Sequence, residues 1–248
     1  CDFADQSVVT LAERILQPEE FQVNLELCKK DFHSDFLAIE MGYSAFDTLP
    51  ASFADYLLGH VAAKVAQKTE ETIWQGATAN AGEFDGFEAL LAADGTVVDV
   101  TGTTVSAANV ITEMGKVVDA IPTAVYGKED LYIYVASNVA RAYIRALGGF
   151  GAQGLGGSGV NNEGTTWFNG ADLAFDGVKL FVCSGISDNT MIAAQKSNLF
   201  FGTGLLSDHN EVKLIDMADL DGSQNVRVVM RFTAGVQTGI GADIVYYT

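Results

Sequence analysis

The chain has 248 residues, with 14 Lys plus Arg against 32 Asp plus Glu for a formal charge of −18, 48% hydrophobic residues and only three Pro. A chain of this length withdraws about 70 to 75% of its unfolded surface from water, and the composition excludes a disordered chain, a collagen-like repeat and, since no apolar run reaches about 18 residues, a membrane-spanning helix. So negative a charge also repels polyanions, which excludes a phosphate-gripping reader of nucleic-acid sequence.

Residues 1–30 alternate loosely between apolar and polar, at Val8-Val9-Thr10-Leu11 and again from Phe21 to Leu27, with Pro18-Glu19-Glu20 between them. That pattern predicts an extended, hairpin-like start. Residues 31–39 read as a short helix and 41–50 as a loop. Over 52–74, Phe53, Leu57, Val61 and Val65 fall four apart with Ala54, Leu58, Ala62 and Ala66 one place on, which predicts one long amphipathic helix, capped by Ser52 and stopped by Gly76. An acidic turn (82–87), a short apolar segment to Ala93 and a strand at 96–100 follow. Ser106 is expected to cap a second helix that Pro122 ends, and Ser137 a third helix, running to Leu147 after a buried strand at 131–135.

Residues 148–170 are glycine-rich and read as an exposed, mobile loop. Beyond it the chain turns to strands. Asp176-Gly177 supplies the positive φ angles of a two-residue hairpin turn, and further strands are expected at 191–194, 199–201, 212–215, 226–233 and 244–247. The class is α+β, with a helical middle and β-rich flanks.

The chemistry-bearing motifs are few. Gly149 to Gly154 and Gly154 to Gly159 both match G-x-G-x-x-G, but a helix precedes them and an Asn/Gly loop follows, the reverse of a dinucleotide fingerprint. Gly127-Lys128 is followed by Glu129, so no phosphate loop forms. His33, His60 and His209 are isolated, which removes the usual zinc spacings, and no G-x-S-x-G elbow is present. Asp219-Leu220-Asp221-Gly222-Ser223 resembles the opening of a calcium loop without its later bidentate Glu. The other carboxylates, including Glu70-Glu71 and Asp216, read as solvated surface, and 18 acids against 5 bases in residues 1–100 place that half where ions or basic partners reach it. Cys1, Cys28 and Cys183 have no paired spacing and read as reduced thiols of a cytoplasm. The start at Cys1 reads as a processing scar or a truncation; a lipid-bearing Cys1, as in mature bacterial lipoproteins, is the alternative it raises. Neither an enzyme, a cofactor nor a metal site is expected.

Taken in order, Trp74-Gln75-Gly76 after the long helix, Gly82-Glu83-Phe84-Asp85-Gly86-Phe87, Tyr126 to Tyr132, Ala174 to Lys179, Ser197 to Gly204 and the stretch 219–247 resemble the major capsid protein of tailed bacteriophages, the Hong Kong 97 type of fold, and most closely its crAss-like version. The resemblance implies a shell subunit that assembles with itself into pentamers and hexamers and encloses DNA without reading it. It also implies a virion location after assembly in the host cytoplasm, and scaffold, portal and decoration proteins as partners. An encapsulin-like compartment shares the fold and is the rival reading.

The implied layout is an incomplete extended-loop segment at 1–25, a peripheral domain at 26–102 with its spine helix at 52–74, an axial domain at 103–203 and returning strands at 204–248. Family members carry an N-terminal arm and a complete extended loop before this point, and both are expected to be absent or cut short here. Subunit-interface candidates on this layout are Arg14, Glu19 and Glu20 near the extended-loop segment, and Gly154, Gly156, Gly157 and Asn161 in the glycine-rich loop.

Overall fold

The computed structural model describes residues 13–28, 51–147, 173–204 and 212–248. The chain opens with a ten-residue strand, β1 (Glu19–Cys28), in which Phe21, Val23, Leu25 and Leu27 are half-buried on one face while the residues between them are exposed. Glu19 and Glu20, expected to separate two strands of a hairpin, are instead the first residues of β1. Its partner is the strand Asn225–Thr238, β9, antiparallel and some 200 residues away, with Phe21 opposite Phe232. The expected helix at 31–39 and loop at 41–50 lie outside the described residues.

The long helix, α1 (Ala51–Gln75), is confirmed. At 1.5 Å per residue it is about 37 Å long. It begins at Ala51, so Ser52 lies in its first turn and not at the cap. Gly76 ends it as expected, donating its N–H to Thr72 O at 3.0 Å. The acidic turn then folds back so that Gly86 N–H meets Gly76 O at 2.9 Å. A Cβ on Gly86 would stand 2.6 Å from the carbonyl oxygens of Thr72 and Trp74, so only glycine admits this approach.

Next come α2 (Phe87–Ala93), β2 (Val98–Val100), α3 (Val110–Ala120), β3 (Leu131–Ala136) and α4 (Ser137–Leu147). Ser106 does not cap α3 directly. Its carbonyl accepts from Val110 N–H at 2.9 Å, its hydroxyl bonds Asn109, and Asn109 takes the cap position. Likewise Ser137 is the first helical residue of α4, which follows β3 without a gap.

The second half holds β4 (Ala174–Phe175), β5 (Val178–Cys183), β6 (Met191–Gln195), β7 (Leu199–Thr203), β8 (Val212–Asp216), the short helix α5 (Ala218–Asp221), β9 and β10 (Val245–Tyr247). The Asp176-Gly177 hairpin is as expected, with φ of 47° and 80°. β9 is longer than its predicted span.

Two sheets result. β9 pairs with β1 along one side and with β8 and then β7 along the other, giving a four-stranded antiparallel sheet. The six-stranded sheet runs β2-β10-β6-β3-β5-β4, with parallel pairs β2/β10 and β3/β5. On β10, Tyr247 reaches Glu113 of α3 while Tyr246 faces the side of Glu88 on α2, so α3 and α2 cover opposite faces. α4 lies beside α3, over β3 and β5.

Besides the long connection from β1 to β2 through α1 and α2, two short crossings join the sheets, a 3₁₀ turn (Lys196–Asn198) and residues 239–244. Asn198 ties the crossings together: its Nδ2 donates to Ile240 O at 2.8 Å and its Oδ1 accepts from Ile240 N–H at 2.7 Å. The main core lies in the six-stranded unit, where Ile133, Val135, Val139, Met191, Ile192, Val245 and Tyr247 are fully buried. A smaller cluster around Val61 and Val228 lies between α1 and the other sheet.

Candidate functional site: a helix–sheet groove and the outward surfaces

Alternation along β1 aims Phe21, Val23 and Leu25 at α1, whose Val61, Val65, Thr69 and Thr72 face them. The two walls do not close, and a groove of about 490 Å³ remains between them. Phe21 stacks on Phe232 at 5.5 Å and tilts against Phe84 at 5.7 Å, which ends the groove. Lys64, His60 and Lys68 stand at its edge. The exposed lining is mostly apolar, so what the groove chiefly offers is buried apolar contact.

The acids that attracted notice in the sequence are engaged in local structure. Glu83 accepts from Lys68 Nζ at 2.6 Å, Asn80 Nδ2 at 3.0 Å and Ala77 N–H at 3.3 Å, bonds that hold its carboxyl down at about 2. Asp85 accepts from the N–H and hydroxyl of Thr78. Asp221 accepts from Ser223 N–H, so the calcium-like stretch closes on itself as a turn. Glu88 accepts from Ser187 N–H at 2.7 Å and its hydroxyl at 2.6 Å, while burial pushes its carboxyl up. Buried Glu113 accepts from Lys116 and, at 2.7 Å, from the Tyr247 hydroxyl, which also accepts from Thr103 N–H; the Lys116 and Tyr247 bonds lower its pKa.

Burial raises the Cys183 thiol to about 12, which makes it inert as a nucleophile. His60 is exposed on α1, whereas His33, His209 and Cys1 lie outside the described residues. No group of three or more His, Cys, Asp or Glu able to hold a metal occurs among the described residues.

Of the interface candidates, Arg14 is used inside the chain. Its Nη1 donates to Thr238 Oγ1 at 2.8 Å and its Nη2 to Asp94 Oδ2 at 2.5 Å, which straps residues 13–18 across β9. The Thr96 and Arg14 bonds hold the Asp94 carboxyl at about 2. Gln237 Nε2 adds a bond to Ile15 O at 3.1 Å. Glu19 and Glu20 are exposed at the start of β1, opposite Ala234 and Thr233. Gly154, Gly156, Gly157 and Asn161 lie outside the described residues, as does the glycine-rich loop.

The sequence reading missed the outward apolar residues. Phe181, Val182, Phe200, Phe201 and Ile240 are all exposed. A signal was present: successive strand residues point to opposite faces, so an unbroken pair such as Phe200-Phe201 must turn one ring outward.

No family model matches the sequence, and no curated protein matches it. Solved structures do. A chain of the capsid of the native GTA particle superposes with a TM-score of 0.59 at 12% identity, over 98% of this chain and 78% of that one. A chain of the Mycobacterium phage Che8 structure gives 0.56 at 10% identity, over 97% and 76%. A chain of the satellite phage P4 procapsid that includes the size-determination protein gives 0.55 at 8% identity, over 100% and 84%. At 8 to 12% identity the likeness is one of fold, and the chain has the mixed α+β fold of these phage-type capsid structures.

Proposed function

We propose that the chain is a structural subunit that self-assembles, through pentamers and hexamers, into the icosahedral shell of a tailed double-stranded DNA phage. The observation that carries the reading is the likeness of nearly the whole chain to capsid-shell chains. In the Hong Kong 97 layout, α1 with the four-stranded sheet corresponds to the peripheral domain, and the six-stranded sheet with α3 and α4 to the axial domain. The motifs from Trp74 to Phe87 and from Ser197 to Gly204 support a reading within the crAss-like branch.

The physical chemistry agrees with this role. A container needs no reactive pocket, and a charge of −18 keeps packaged DNA from sticking to the wall. Apolar faces left half-covered gain their burial from neighbours, so stability and assembly are linked. Scaffold, portal and decoration proteins are the expected heterologous partners. The test is negative-stain microscopy and sedimentation velocity on the purified chain over a concentration series. Rings of five or six or closed shells are expected; a species that stays monomeric throughout overturns the reading.

A further inference from the structure

The two edges of the six-stranded sheet carry opposite charge. Its outer strands, β2 and β4, stand about 24 Å apart at 4.8 Å per strand. α4 lies against the β4–β5 edge, where the Tyr143 hydroxyl donates to Ala174 O at 2.9 Å and the Tyr143 ring meets Phe175. From the outer face of α4 project Arg141 and Arg145, one turn apart, on a helix that contains no acid. Lys179 is exposed on β5, and none of the three bases makes an ion pair among the described residues. Asp176 and Asp188 are the acids on the adjoining turns. Phe181, 54% exposed, and Leu147, 46% exposed, add apolar surface.

At the β2 edge the balance is reversed. Its bases are consumed within the chain, Arg14 by Asp94 and Lys116 by Glu113. Asp99 on β2, Asp119 on α3 and Asp243 in the turn beside β2 make no ion pair among the described residues. Ile240, 61% exposed, and Ile111, 51% exposed, supply the apolar surface.

We infer that the α4–β5 edge of one copy docks against the β2 edge of a second copy, with Arg141, Arg145 and Lys179 facing Asp99, Asp119 and Asp243 around an apolar contact that includes Phe181 and Ile240. This deepens the shell reading and rests on it. Charge complementarity selects the occupant: a chain of net charge −18 repels itself unless a basic surface meets an acidic one, and Arg with aromatic residues is the composition that interface centres favour. The two surfaces differ, so the contact is head-to-tail, the kind that closes into rings.

The test uses the full chain with two charge-reversed variants, Arg141→Glu/Arg145→Glu and Asp99→Lys/Asp243→Lys, followed by sedimentation velocity and negative stain at 0.1 M and 1 M NaCl. Each variant alone is expected to lose assembly about tenfold or more at low salt, because like charges then face each other. An equimolar mixture is expected to recover rings of six, in which the acidic variant and the basic variant alternate, but not rings of five, where two like variants must meet. Recovery also proves that both variants fold. The wild-type contact is expected to weaken at 1 M NaCl, where the screening length falls to about 3 Å. Wild-type rings together with variants that assemble equally well, or a mixture that fails to recover, overturn this inference and leave the shell reading standing. A wild-type chain that never assembles overturns both.

Discussion

The six-stranded unit and the helix–sheet unit are built from the same chain in two different ways. In the first, helices cover both faces, and side chains such as Ile133, Val135 and Ile192 have no exposure at all. In the second, one helix lies across a four-stranded sheet, and β1 offers α1 a row of apolar residues that are only half-buried. Alanines explain part of this: Ala62, Ala63 and Ala66 lie exposed along α1 and present little surface to bury. One unit has a closed core, and the other leaves the seam between its helix and its sheet half-open.

The sharpest way to break that comparison is to truncate equivalent positions. Ile133→Ala should cost about 3 to 4 kcal/mol, read as a fall in urea midpoint, whereas Val23→Ala should cost about 1 kcal/mol in the unassembled chain. Equal costs would mean that the units are equally packed. Gly86→Val, at the joint where α1 meets α2, should cost about 2 kcal/mol or more, because the added atoms meet the Thr72 and Trp74 carbonyls. Tyr247→Phe should cost about 1 to 2 kcal/mol by leaving Glu113 and Thr103 N–H short of a partner, with amide exchange rising along β10.

The pH dependence is smaller and has a definite sign. Glu83 and Asp94 titrate at about 2 in the folded chain, against ordinary values of 4.5 and 3.8. Between about pH 4.5 and 2 the unfolded chain therefore binds more protons, so their contribution is intact above that window and is lost as pH falls through it. Glu88 works the other way: its raised pKa favours the folded state below the ordinary carboxylate range, and that contribution is lost as pH rises through the folded value. Glu83→Gln should flatten the acid limb in a pH series of thermal midpoints. Smallest of all, Arg14→Ala should cost less than about 1 kcal/mol, as expected of a partly exposed pair, yet speed amide exchange across residues 13–18.

Local features were legible in the sequence. The periodicity of α1 and α3, the Asp176-Gly177 turn and the alternating aromatic and β-branched residues Tyr132 to Val135 of β3 each fixed an element to within a few residues, because neighbours in the chain settle them. What depends on distant pairing was not. β1 finds β9 across some 200 residues, and nothing within residues 19–28 names that partner. β9 runs on to Thr238 because β7 pairs with its second half, where Gly235 lets the strap at Gln17–Pro18 pass close by. Arg14 was singled out, but its role as a clamp on Asp94 required the fold. The charged edges were equally hidden, since Asp99 and Arg141 are assigned to opposite sides only once the strand order is known.

The paired crossings stapled by Asn198 have a mechanical meaning. A single tether would let the sheets swing like panels on a pin, but two short links fixed side by side resist both bending and twisting. A load applied at one sheet is then delivered to the other almost undiminished.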